Sequence, residues 1–210
     1  MMTASETRLV REWALSQGVE VEPEAYMRIG RFLDLLMVWN DRIHLTGERD
    51  RSALVKRHVT DCLAPCPHLP EEGLVVDIGS GGGFPGIVLG CARPDLEIAL
   101  VESRRRRASF LGEVIRSVPI PHARVVAERL DGSAPPPEIA SRARVAVGRG
   151  LRVEEFLDLA APLLAADGMA LSMQVPAARK QASAAATRAG YRLTCARDYR
   201  LPDGTPRSLL

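Results

Sequence analysis

Residues 74–86 read LVVDIGSGGGFPG. Leu74, Val75, Val76 and Ile78 form the near-continuous apolar run expected of a strand buried on both faces in a parallel sheet. Five glycines then fall between positions 77 and 86, so the chain must turn sharply with its backbone bare to a neighbour. Pro85 stands where a helix should begin. Strand, glycine turn and helix together hold ligands at the carboxyl end of a strand. Three patterns compete for this stretch. A triphosphate loop needs G-x-x-x-x-G-K-[ST], and no lysine follows here, which excludes it. A dinucleotide fingerprint, G-x-G-x-x-G, fits Gly81, Gly83 and Gly86, but so glycine-rich a stretch satisfies many spacings. Pro85 also sits where the helix would offer N–H groups to a pyrophosphate. The third pattern is D-x-G-x-G-x-G, running from Asp77 through Gly79, Gly81 and Gly83.

Downstream of this turn, strand and helix alternate. Expected strands are 97–102, 123–128, 144–149, 168–173 and 191–201; expected helices are 85–92, 104–117, 153–164 and 176–188. Such alternation predicts an open, doubly wound α/β sheet with its ligand at the carboxyl ends of the strands. Upstream, the periodicity is helical throughout: residues 5–16, a longer helix opening at Pro23 with Tyr26, Ile29, Phe32, Leu33, Leu36 and Met37 on one stripe, and a third helix over 52–63. The predicted organisation is a helical extension, 1–67, packed on a main domain, 68–210.

Bulk composition narrows the class. The chain has 210 residues, 46% hydrophobic and 26% charged, with a net charge of +2. That is enough apolar content for a proper core and too mild a charge to prove a nucleic-acid partner. Its distribution says more: Arg104, Arg105, Arg106 and Arg107 form one block, and lysine occurs only at Lys56 and Lys180. Arginine suits bidentate phosphate contact, although a bias of base composition would give the same excess. The cysteines, Cys62, Cys66, Cys91 and Cys195, show no metal-ligand spacing, so no metal is expected. No leader pattern and no apolar run of membrane-span length are visible, so a cytoplasmic protein without a membrane partner is expected.

The D-x-G-x-G-x-G run resembles motif I of the class I S-adenosylmethionine-dependent methyltransferases, whose Rossmann-like sheet is the fold predicted here. That cofactor carries an amine, a carboxylate and a sulfonium but no pyrophosphate, and an acid such as Asp77 could meet the amine. Glu102 ends the next strand, 25 residues on, where it could accept ribose hydroxyls; nicotinamide-cofactor proteins also place an acid there. The longer match is to one family. DIGSGGGFPGI, then ALVES, then RRRASFL, with WNDRIHLTGERD and VKRHVTDCL upstream and DGTPRSLL near the end, is similar to the bacterial 16S ribosomal RNA guanine-N7 methyltransferases, the glucose-inhibited division protein B family.

The resemblance implies a cofactor site of Asp77, Gly79, Ser80, Gly81, Gly83, Phe84, Glu102 and Ser103, with Arg129, Leu130 and Asp131 in place of the family's R-x-E. It implies His58 and Asp61 at the cofactor entrance and substrate side, Arg149 as the catalytic and substrate-contacting arginine, and 16S ribosomal RNA or a small-subunit particle as partner of a monomeric enzyme. A salt bridge from Arg149 to an acid such as Glu154 is the alternative for that residue. Departures from the family pattern are His44 for asparagine, Gly148 and Gly150 around Arg149, Gln174 for lysine, and an end at Leu210 short of an expected last strand and basic tail. A methyltransferase of another substrate, a non-catalytic relative and a nicotinamide-dependent oxidoreductase stay open as alternatives. Stabilisation by S-adenosylmethionine but not by NAD would separate the last of these.

Overall fold

The computed structural model describes residues 1–131 and 134–210. The helical extension comprises α1 (Ala4–Ser16), α2 (Pro23–Ile43) and a continuous helical run, in which α3 (Arg51–Ala53), a π-helical segment (Leu54–Val59) and α4 (Thr60–Leu63) follow without a break. Thr3 caps α1 by accepting the Glu6 N–H while Glu6 returns a bond to the Thr3 N–H, a capping box. Pro23 opens α2, and the stripe expected there is buried: Ile29, Phe32, Leu33 and Leu36 have no exposed surface.

The remainder runs β1 (Leu74–Ile78), α5 (Gly86–Ala92), β2 (Glu97–Val101), α6 (Arg105–Ser117), β3 (Ala123–Val126), β4 (Ala143–Arg149), α7 (Val153–Ala160), β5 (Leu164–Gln174), α8 (Arg179–Arg188), β6 (Arg197–Arg200) and β7 (Pro206–Leu209). One seven-stranded sheet takes the order β3-β2-β1-β4-β5-β7-β6. β1 to β5 pair in parallel, and β7 is antiparallel to both β5 and β6. Two expectations need correction. The strand predicted over 191–201 is confined to Arg197–Arg200, and a further strand, Pro206–Leu209, occupies the end of a chain expected to stop short of one. The tight turn at Pro202–Gly204 folds this final strand back between β5 and β6, where Met173 and Gln174 give it partners.

Side chains alternate across the sheet with the period of two that any strand imposes. Leu74, Val76 and Ile78 enter one apolar cluster with Val153, Phe156 and Leu157 of α7 and Ala182, Ala185 and Ala186 of α8. Val75, Val145, Val147, Leu171, Met173 and Tyr199 enter the other, which also holds Val10, Trp13, Phe32, Leu54 and Leu63 of the extension. The extension and one face of the sheet thus share a single core. Each fully buried large side chain there contributes roughly 1.5–3 kcal/mol by leaving water. Asp77 and Arg149 share strand parity with Val75 and Val147, so both point to the face that carries the extension.

Candidate active site

The glycine turn is built as a self-satisfied unit. Gly79 and Ser80 donate backbone N–H bonds to the Val101 carbonyl of β2, which ties the turn to the neighbouring strand. Gly83 adopts φ +89°, and a Cβ there would lie 2.8 Å from Ile87, so no other residue fits. The Phe84–Pro85 peptide is cis. At the start of α5, the Gly86 N–H donates to Asp77 Oδ2 at 2.9 Å and the Ile87 N–H donates to the Gly83 carbonyl. These helix-terminal donors are therefore spent within the protein. A pyrophosphate would find them occupied, which removes the physical basis of the dinucleotide reading.

Asp77 is completely buried beneath the turn, and its Oδ1 has no partner among the described residues. Burial pushes its carboxyl up to about 7, against the pull of the Gly86 N–H and the Ser80 hydroxyl. Asp77 does not line the cleft above the turn; its Oδ2 braces the turn from beneath, and its Oδ1 is left for a further donor. Glu102 is likewise buried, with Oε2 accepting from the Gly81 N–H at 3.0 Å and Oε1 from the Arg104 N–H at 2.7 Å. Each oxygen keeps a further lone pair, so accepting ribose hydroxyls remains open to it.

Above the turn lies a cleft of about 540 Å³, within the range of small-molecule sites. Gly79, Ser80, Gly81 and Phe84 line it, together with His58, Asp61 and Arg149. Seven of the residues singled out from sequence are thus brought together. Ser103 lies outside the cleft beside a shallow depression on α6; Arg129 and Asp131 are exposed, and Leu130 packs at the edge of the second core.

The polar centre of the cleft is an ion cluster. Arg149 Nε donates to Asp61 Oδ2 at 2.9 Å, and Arg149 Nη1 lies 3.0 Å from His58 Nδ1. Tyr199 donates its hydroxyl to Asp61 Oδ1 at 2.7 Å, and Arg207 Nε stands 3.5 Å from Asp61 Oδ2. Asp61, not Glu154, is therefore the acid partner of Arg149; Glu154 pairs loosely with Arg188 on the other face. His58 sits in the π-helical segment and Asp61 one turn on in α4, a backbone irregularity frequent at functional sites. Burial, and then the Arg149, Arg207 and Arg57 charges, push the His58 imidazole down to about 3. It is neutral at pH 7, and Nδ1 accepts a hydrogen bond from the Arg149 guanidinium. The charged lining is three arginines, Arg149, Arg152 and Arg207, against one acid, Asp61, an excess of two positive charges. Among the described residues no group of His, Cys, Asp and Glu could hold a metal ion.

Tyr199 and Arg207 were not singled out from sequence. Arg207 lies within the DGTPRSLL stretch that carried part of the resemblance, and its parity with Leu209 would have set it on the correct face. Tyr199 carried no motif. Gln174 also lines the cleft, its Nε2 donating to the Leu151 carbonyl at 2.8 Å and to Ser172 Oγ at 2.9 Å.

The residues suit a ligand with ribose hydroxyls and no phosphate: a close-approach glycine turn, a carboxylate beneath it and spent helix-end donors. With the reversed seventh strand and a family-model match to a methyltransferase, they define a class I S-adenosylmethionine-dependent methyltransferase. Solved structures agree at the level of fold: a SAM-dependent methyltransferase from Aquifex aeolicus (TM-score 0.54, 11% identity, covering 76% of this chain and 92% of that one) and precorrin-6y C5,15-methyltransferase from Geobacter metallireducens (0.52, 15%, covering 80% and 89%). The family model of rRNA small subunit methyltransferase G matches residues 26–201. Ribosomal RNA small subunit methyltransferase G of Chloroflexus aggregans is 34% identical, covering all of this chain and 90% of its own; that of Gluconobacter oxydans is 39% identical, covering 73% and 77%. The chain belongs to the rRNA small subunit methyltransferase G family.

Proposed function

We propose that the enzyme methylates guanine N7 of 16S ribosomal RNA, with the Arg149 cluster receiving the substrate directly above the cofactor turn. The observation that carries this reading is the cleft itself, in which a phosphate-free cofactor cradle adjoins an unbalanced set of arginines. S-adenosylmethionine, when bound, supplies an electrophilic methyl group on its sulfonium. The chain's own residues then have a limited task. Guanine N7 carries a lone pair and no proton, so no general base is needed, and the neutral His58 is no handicap. Positioning and electrostatics supply the rate. Arg149, held by Asp61, orients the base or its phosphate; Arg207 and Arg152 offer further phosphate donors. A guanine in duplex RNA must leave its stack before its N7 can reach the methyl group.

Glu102 and the 79–83 backbone are proposed to hold the cofactor, and Ser103 with Arg129, Leu130 and Asp131 to border its adenosine end from beside the cleft. No described helix is long and apolar enough to cross a membrane. A cytoplasmic monomer acting on small-subunit particles is the working picture. Methyl transfer from labelled cofactor to small-subunit particles and to naked ribosomal RNA, followed by identification of the modified base, tests the reading. Label on a base other than guanine, or none on either substrate, refutes it.

A further inference from the structure

Asp61 has two carboxylate oxygens and three cationic or hydroxylic neighbours, and the way these share it is unusual. Among the described residues Oδ1 receives only the Tyr199 hydroxyl, at 2.7 Å. Oδ2 receives Arg149 Nε at 2.9 Å, a full hydrogen bond, while Arg207 Nε stands off at 3.5 Å, an ion pair outside normal hydrogen-bond range. Among the described residues the Arg207 guanidinium otherwise makes one bond, Nη1 to the Pro206 carbonyl at 3.2 Å, and it lines the cleft. Asp61 is 1% exposed, so an oxygen left without a donor is costly. A carboxylate stripped of the hydroxyl would turn to the nearest alternative donor, and a two-pronged Arg–carboxylate pair is the favoured geometry. Of the two arginines, Arg207 is the one not already committed to a short bond.

We propose that Tyr199 is a positioning residue: by occupying Asp61 Oδ1 it prevents Arg207 from closing a bidentate pair with Asp61, and so keeps that guanidinium turned to the RNA phosphate. This rests on the substrate reading given above. Tyr199 is placed for the role by the hairpin of β6 and β7. Its ring packs edge-on against Trp13 with centroids 6.1 Å apart, Trp13 Nε1 donates to the Arg200 carbonyl, and Arg57 pairs with Asp203 in the turn. The extension therefore fixes the hairpin, and the hairpin fixes both the hydroxyl and the arginine it holds apart.

Tyr199→Phe keeps the ring and removes only the hydroxyl. In the intact protein it is expected to leave melting and cofactor affinity near wild type and to lower kcat/KM for ribosomal RNA about tenfold, mainly through KM. On an Arg207→Ala background the same change should cost less than about twofold, because the group it protects is already gone. Phenylglyoxal labelling of Arg207, followed by mass spectrometry, reads the guanidinium without any substrate and should slow severalfold in Tyr199→Phe. Replacing Tyr199 by 4-aminophenylalanine restores a donor and should restore the labelling rate. Unchanged labelling, multiplicative losses in the double variant, or an unfolded Tyr199→Phe protein would each overturn the proposal. Wild-type protein that fails to methylate RNA would refute the substrate reading instead, while the labelling still decides the role of Tyr199.

Discussion

Arg149 and Asp61 depend on each other because both are withdrawn from water: the arginine side chain is 19% exposed and the carboxylate 1%. Arg149→Ala would leave Asp61 with the Tyr199 hydroxyl and a distant Arg207, and breaking a buried pair from one side costs about 3 kcal/mol. Urea unfolding should show that loss, and methyl transfer should fall more than about tenfold; Arg149→Lys should recover stability better than rate, since a point charge lacks the planar fork. Two other residues oppose each other in their response to pH. Asp77, raised to about 7, binds a proton in the folded chain that the unfolded chain releases near its ordinary value, so its contribution to stability is present at low pH and lost as pH rises toward 7. His58, depressed to about 3, contributes stability that is present above its ordinary value of 6.5 and lost as pH falls toward 3. The slopes partly cancel over the shared window. Asp77→Asn should therefore make stability rise with pH between about 4 and 6.5, and His58→Gln should make it fall. Chemical denaturation at several pH values in that window reads both, and slopes of the same sign in the two variants would refute the assignment.

At the scale of elements, the glycine turn is held by contacts that leave no room for side chains. A Cβ at Gly86 would overlap Leu100 and lie 2.6 Å from Asp77 Oδ2. Gly86→Ala should destabilise the fold by roughly 1–3 kcal/mol, the usual cost of overpacking, and displace the donor that satisfies Asp77. A thermal melt within a degree of wild type would show that α5 can shift to absorb the methyl group. The turn was readable from sequence because both its parts, an apolar strand and glycines at fixed offsets, are local features. The π-helical segment was not: residues 51–63 have ordinary helical periodicity, and the wider turn places His58 and Asp61 against Arg149 only because β4 lies there.

For the whole molecule, the net charge of +2 understates the cleft, where three arginines face one acid. RNA affinity should fall steeply with salt, and Arg207→Ala should reduce the slope of log K against log salt by about 1, the signature of one lost phosphate contact. A slope unchanged in that variant would remove Arg207 from the RNA interface. The core shared by the extension and the sheet makes the extension part of the cleft wall, because it supplies His58 and Asp61 and anchors the hairpin through Trp13.

The amino-acid sequence determined the strand–turn–helix at 74–92, the alternation of strands and helices and the buried stripe of α2, because each rests on local periodicity or on a local motif; the candidate status of His58, Asp61 and Arg149 came from the family resemblance. Tertiary structure alone decided the partners. Asp77 faces inward because α5 folds over it, and Glu102 turns beneath the loop to take two backbone N–H groups. Tyr199 and Arg207 reach Asp61, 138 and 146 residues earlier, because β7 inserts antiparallel between β5 and β6. That insertion follows from pairing between distant strands, for which a four-residue strand carries too little pattern to specify its neighbours.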